Sequence, residues 1–365
     1  MSGVESLPSS AGAVVDDGVD ERLRRVIEVH FDPEEGTAFW LDRAAARGLR
    51  PLKEIRARQD LAALGEMTPA DLASRPLLDF IPRRFHGRMR EFIVGQTGGT
   101  TGDGHWTAYR RDEFAEAFIE PFVAAATALG FPRGEPWLFV GPSGPHIIGK
   151  AVGRLAEAMD AADPFCVDFD PRWARKLPEG SFARRRYLQH VIDQAMRVVR
   201  SQDVGVLFTT PVVLRHLAAA MSDAQRERIR GVHYGGMALA PEELLTFQRE
   251  LFPKAVHLSG YGNTLFGCCL ELSARPGRRL DYYPFGCRLL FEVIGPDGES
   301  LPAGREGQVR FTRLDESMLI VRMPERDAGT LLPAPADAPP GFVLPGVRDP
   351  HPLPGDGPAA VAGLY

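Results

Sequence analysis

The sequence predicts an α/β fold: a doubly wound, mostly parallel sheet followed by a small antiparallel β part. Three observations carry this. From about Trp137 to Leu258, short apolar runs bounded by Gly and Pro alternate with helical patterns of roughly 10–20 residues. Near Pro284 the alternation stops, and two strand-like runs flank a Pro296-Asp297-Gly298 turn. The chain of 365 residues is 44% hydrophobic and 25% charged, an ordinary globular composition long enough for two or three subdomains. The expected organisation is a disordered N-terminus over 1–20, an α/β core over 21–283, an antiparallel β subdomain over 284–332 and a Pro/Gly-rich tail over 333–365.

Residues 1–20 are small, polar and acidic, which argues for disorder. Between Asp20 and Leu64, Arg22–Ile27 and Asp60–Leu64 read as amphipathic helices. Thr68 followed by Pro69 fits a helix start, with the hydroxyl as cap and proline in the first turn. Arg111 to Leu129 reads as a long helix, in which Phe114, Phe118, Phe122 and Ala126 recur at spacing four and form a core stripe. Strand Trp137–Val140 then leads to a helix over Lys150–Ala161. Strand Phe165–Asp168 leads to a helix over Phe182–Ser201, and strand Val204–Thr209 to one over Pro211–Met221. Strand Gly231–Tyr234 runs into Gly235-Gly236, followed by helix Pro241–Leu251 and strand Ala255–Leu258. This order implies right-handed βαβ units. Arg288–Ile294 and Gln308–Thr312 are the antiparallel strands, and from Pro333 onward the chain reads as an extended tail or surface strap. No internal repeat is present.

Several function classes are excluded. A net charge of −5 argues against a nucleic-acid partner, and Arg184-Arg185-Arg186 reads as a solvated helix face. No run approaches the roughly 18 apolar residues a membrane span requires, and no secretory leader is seen, so no membrane partner is expected. Four cysteines without CxxC spacing point to a reducing compartment, and a cytoplasmic location is expected. Gly99 and Gly104 have P-loop separation, but His105-Trp106 stand where Lys-Ser or Lys-Thr is required. Gly141-Pro142-Ser143-Gly144-Pro145 fails as a nucleophile elbow at Pro145.

The run Thr97-Gly98-Gly99-Thr100-Thr101-Gly102 remains a phosphate cradle by chemistry: glycines allow close backbone approach and threonines add donors. It is followed in order by His146-Ile147-Ile148-Gly149, Gly235-Gly236-Met237 up to Pro241-Glu242, and Ser259-Gly260-Tyr261-Gly262-Asn263-Thr264. Gly304-Arg305-Glu306-Gly307 and Val321-Arg322 up to Asp327 complete the set. Each alone has an ordinary structural role, such as a turn, a helix cap, a packed ring or a solvated acid. Their joint order, over about residues 60–330, resembles the large N-terminal domain of adenylate-forming enzymes, within them phenylacetate–CoA ligases and bacterial acyl-protein synthetases.

The resemblance implies ATP-dependent activation of a small-molecule carboxylic acid, aryl or otherwise hydrophobic, as an acyl-adenylate. Transfer to CoA, a carrier-protein thiol or an amine follows. It implies that Thr97, Gly98, Gly99, Thr100, Thr101 and Gly102 hold phosphates, and that Gly235, Gly236 and Met237 line the adenine. Tyr261, with Gly262 and Asn263, would face the adenine, and Thr264 would donate to the α-phosphate. Asp327 would bind the ribose, and His146 would border the acyl pocket and the pyrophosphate path. ATP and Mg2+ are the expected cofactors, with CoA as a candidate acceptor.

Three departures bear on activity. Leu265 stands where the family has a magnesium-binding glutamate, and an apolar side chain cannot coordinate a hard cation. The metal ligand is therefore left unassigned, with Glu271 and Glu242 as nearby substitutes. Asp103 and His105 replace the lysine-bearing end of the glycine loop. Only a proline-rich tail follows Asp327, and Lys254 is the last lysine, so a compact form lacking the family's C-terminal domain is expected. An acyl carrier protein or a protein supplying that domain is then an expected partner. Cys268 and Cys269 read as small buried hydrophobes. The rival readings are an acyltransferase using a preformed thioester or adenylate, and a non-catalytic nucleotide-binding homologue.

Overall fold

The computed structural model describes residues 10–98, 104–236, 239–272 and 279–353. Two strands, β1 (Phe92–Gln96) and β2 (Trp106–Arg110), pair as an antiparallel hairpin whose connection carries the glycine loop. The other eleven strands form one sheet. They are β3 (Trp137–Gly141), β4 (Phe165–Asp168), β5 (Val206–Thr209), β6 (Gly231–Tyr234), β7 (Val256–Asn263) and β8 (Gly267–Glu271). Then come β9 (Asp281–Tyr283), β10 (Leu289–Ile294), β11 (Glu306–Leu314), β12 (Leu319–Leu332) and β13 (Gly346–Pro352). Their spatial order is β10-β11-β12-β13-β9-β8-β7-β6-β5-β3-β4.

The half β4-β3-β5-β6-β7 is wholly parallel, and its order reverses between β3 and β5. Side chains alternate as a period of two demands. Trp137 and Phe139 of β3, with Val206 and Phe208 of β5, enter one core beside the helical segment Arg111–Leu129 and helix Ile147–Ala158. Leu138, Val140 and Leu207 enter the other core, beside helices Phe182–Ser201 and Pro211–Ala220. Both faces are covered, so the parallel half is doubly wound. The stripe Phe114, Phe118, Phe122 and Ala126 is buried as the spacing predicts. A π-turn over Ala115–Ile119 widens that helix where Phe118 packs on Tyr109.

Three elements differ from expectation. Antiparallel pairing starts inside β7 and not near Pro284: Val256–Ser259 pair parallel with β6, while Gly260–Asn263 pair antiparallel with β8. The change needs glycine, because a Cβ on Gly262 would lie 2.0 Å from the Gly267 carbonyl oxygen. Disorder over 1–20 gives way from Ser10 onward to a helix, Ser10–His30, with Val19, Leu23, Val26 and Ile27 buried. The stretch 333–365 is no external strap through residue 353, because β13 lies between β12 and β9 with Val347 buried. Among the described residues, no helix is long and apolar enough to cross a membrane.

Candidate active site

In a doubly wound sheet, ligands bind outside the carboxyl ends of the strands, at the point where strand order reverses. Here that edge carries His146 after β3, Asp170–Arg175 after β4, Gly235 after β6 and the second half of β7. The β1–β2 hairpin closes over it. The Gln96 N–H donates to the Pro145 carbonyl (2.8 Å), one residue before His146. A Cβ on Gly95 would stand 2.8 Å from Ile147 Cδ1 and 3.2 Å from Thr264 Cγ2, so hairpin, histidine and threonine share one corner.

The described ends of the glycine loop are latched. Thr97 donates its N–H to the His105 carbonyl (2.9 Å), and its hydroxyl accepts from the His105 N–H (2.9 Å). Gly99, Thr100, Thr101 and Gly102, with Asp103, lie outside the described residues, as does Met237. Gly235 and Gly236 turn the chain between β6 and the next helix. A Cβ on Gly235 would stand 3.2 Å from the Gly260 carbonyl oxygen, and Gly236 has φ +77°, where glycine alone is unstrained.

Tyr261 and Asp327 meet across this edge: the phenol donates to Asp327 Oδ2 at 3.2 Å. The Tyr261 ring packs against Phe266, Tyr282 and Phe291. Burial raises the Asp327 carboxyl above its usual range. Beside this pair, Asn263 Nδ2 donates to Glu325 Oε1 (2.5 Å), and Asn263 Oδ1 accepts from the Leu265 and Phe266 N–H groups (2.8 and 3.1 Å). Asn263 thus bonds the protein from both ends of its amide and shapes the turn. Burial first, and the Asp327 charge second, push Glu325 up to about 7.

The Thr264 turn is held from beneath. Tyr109 Oη donates to the Thr264 carbonyl (2.9 Å), Arg313 to that of Leu265 (3.0 Å) and Arg288 to that of Phe266 (2.5 Å). Asp315 clamps both guanidiniums, accepting from Arg288 Nη2 at 2.6 Å and Arg313 Nε at 2.5 Å. Burial opposes its ionisation, yet the two arginines hold the Asp315 carboxyl well below the usual carboxylate range. Arg313 also stacks 3.6 Å from the Tyr109 ring centroid. Among the described residues, the Thr264 hydroxyl itself has no hydrogen-bond partner, which leaves it free for a ligand.

His146 sits at the N-cap of helix Ile147–Ala158 without capping it by its side chain. Burial, then the nearby Arg172 charge, lower its pKa and keep the imidazole neutral at pH 7. Two residues that sequence reasoning missed reach the loop: Arg172 Nη2 donates to the Thr97 carbonyl (3.5 Å), and Arg175 donates to the Gly98 carbonyl. Their helix, Pro171–Lys176, is capped by Asp170, whose carboxylate accepts from the Arg172 N–H (2.8 Å). Glu325 was also missed, although two-residue spacing from Asp327 on one strand puts both carboxyls on one face.

The metal candidates do not assemble. Leu265 packs into an apolar core, Glu242 is exposed, and Glu271 accepts from the Asp281 N–H (2.6 Å). Among the described residues, no group of three or more His, Cys, Asp or Glu could hold a metal. The described residues therefore do not form an all-protein magnesium site. Burial pushes the Cys268 thiol up to about 12 and raises Cys269 well above its ordinary value, so neither is a nucleophile at neutral pH. A groove lined by Ile119, Val123, Phe285 and Pro339 holds none of the motif residues.

No protein-family model and no curated protein sequence matches the chain. Among solved structures it is similar to 2-hydroxyisobutyryl-CoA ligase bound to 2-HIB-AMP and CoA in the thioesterification state. The TM-score is 0.64 and the identity 17%, over 95% of this chain and 68% of that one. An open conformation of the same ligase, again with 2-HIB-AMP and CoA, gives a TM-score of 0.65 at 16% identity, over 95% and 79%. The postadenylation state with R3-HIB-AMP gives 0.64 at 16%, over 95% and 71%. The chain has the adenylate-forming fold.

Proposed function

We propose that the chain binds ATP along this edge and activates a carboxylic acid as its acyl-adenylate. A carboxylate oxygen attacks the α-phosphorus, and the bond to the bridging oxygen breaks. Pyrophosphate leaves with the electron pair. A nucleophile then attacks the acyl carbonyl and AMP departs; CoA, a carrier-protein thiol and an amine are the acceptor classes. The observation that carries the proposal is the Tyr261–Asp327 bond, which joins two distant motifs at the carboxyl edge of the sheet. In this reading Asp327 accepts from the ribose diol, and Tyr261 with Gly235 flanks the base. Thr264 offers a free hydroxyl to the α-phosphate, and Thr97 and Gly98 begin the phosphate loop.

The resemblance of the ordered motifs to phenylacetate–CoA ligases supports an aryl or otherwise hydrophobic acid. The neutral His146 at the corner of the site supports a role beside the acyl group, as an uncharged hydrogen-bonding partner. Pyrophosphate exchange into ATP, measured with a panel of aliphatic and aryl acids, tests the reading. Acid-dependent exchange is the expected result; no exchange and no AMP formation with any acid counts against it.

A second reading keeps the fold and drops adenylation, so that the chain transfers an acyl group from a preformed thioester or adenylate. The burial of Leu265 in the apolar core and the lack of a metal-ligating cluster among the described residues favour it. Calorimetry separates the two. Magnesium-ATP binding supports activation, whereas thioester binding without ATP supports transfer.

A further inference from the structure

We propose that Arg172 and Arg175 form a cationic wall that receives a pyrophosphate-type group beside Thr97 and Gly98; this rests on the activation reading above. The wall follows β4 and lies at the same carboxyl edge as His146, whose electrostatic neighbours include both arginines. A Cβ on Gly98 would stand 3.5 Å from Arg175 Nη2 and 3.8 Å from Nη1, so the guanidinium lies directly against bare backbone.

Tethering the loop is the simpler role for these side chains, and three observations go beyond it. Arg172 Nε is buried and has no hydrogen-bond partner, a donor left unsatisfied at real cost. Neither guanidinium forms an ion pair with a described carboxylate. Asp170, the acid in the field of both Arg175 and His146, already accepts from the backbone N–H groups of Arg172 and Trp173 (2.8 and 3.2 Å). Guanidinium forks suit the geometry of phosphate oxygens. They supply positive charge that the loop's own end, at His105, does not: burial lowers the pKa of His105 and leaves it neutral at pH 7.

Calorimetry with inorganic pyrophosphate, ATP, AMP and CoA, with and without magnesium, tests the assignment on wild type, Arg172→Gln and Arg172→Lys, with melting temperature checked for each. Losing a charged hydrogen-bond donor predicts about tenfold or weaker pyrophosphate binding in Arg172→Gln, less than about threefold change for AMP, and partial rescue in Arg172→Lys. Equal losses for AMP and pyrophosphate mean a loop tether and overturn the proposal. A loss confined to CoA overturns it by assigning the wall to that molecule's phosphates. Unchanged pyrophosphate affinity, or none in the wild type, also overturns it. If the wild type binds pyrophosphate through Arg172 but neither ATP nor AMP, the wall stands and the activation reading fails.

Discussion

Tyr261 and Asp327 are 66 positions apart in the chain and 3.2 Å apart in space, and the chemistry proposed here depends on that meeting. Asp327→Ala removes the proposed ribose acceptor, and a tenfold or greater loss of AMP affinity is expected, on the order of one charged hydrogen bond. Calorimetry reads it, and an unchanged affinity places the ribose elsewhere. Glu325 gives a pH signature. Its folded pKa of about 7 lies above the ordinary glutamate value of 4.5, so the folded state holds a proton that the unfolded chain releases. Stability from this group falls as pH rises from about 4.5 to 7, and Glu325→Gln flattens that slope in urea titrations; an equal slope in the variant contradicts the assignment. Asp315→Ala strands Arg288 and Arg313 as buried cations, and about 3–5 kcal/mol of destabilisation is expected in the same titrations. At this scale the sequence singled out residues whose types announce chemistry, Thr97, His146, Tyr261, Thr264 and Asp327, and the fold brings Tyr261 beside Asp327. The sequence hid Arg172, Arg175 and Glu325, because an arginine or glutamate looks like a solvated charge until tertiary contacts show what surrounds it.

The elements that were legible are those whose pattern repeats within themselves. Helix Phe182–Ser201 and strand Gly231–Tyr234 have the bounds that periodicity predicts, and the phenylalanine stripe is core. Phe122→Ala empties a site packed by Phe131, Trp137 and His233, at an expected cost of about 3–5 kcal/mol by denaturant unfolding; less than about 1 kcal/mol means the core collapses around it. Elements defined by their partners were not legible. Strand β13 contains Pro350 and Pro352 and a left-handed Asp349 (φ +46°), which read as loop, and pairing with β12 and β9 makes it a strand. Asp327 is paired with Pro352 there, and Arg348 forms a two-point ion pair with Asp281 at 2.7 Å. Helix Ser10–His30 was obscured by its small-residue start, although Val19, Leu23, Val26 and Ile27 fall at helical spacing.

Across the whole molecule, alternation of strands and helices was enough to foresee a parallel, doubly wound half. The motif loops after β3 and β6 lie at the carboxyl edge of that half. What pattern could not give is the seam within β7, where one strand belongs to both halves. A change from parallel to antiparallel pairing leaves no mark on alternation and shows only as the glycines the crossing requires. That seam puts Tyr261 on the antiparallel side and Gly235, beside Gly260, on the parallel side, so the proposed nucleotide would bridge both halves. The most direct test is a crystal structure of the protein soaked with AMP. The account predicts the adenine between Gly235 and Tyr261, the ribose hydroxyls on the Asp327 carboxylate and the phosphate at the Thr264 hydroxyl. AMP lodged away from this edge, or no AMP at saturating concentration, would contradict it.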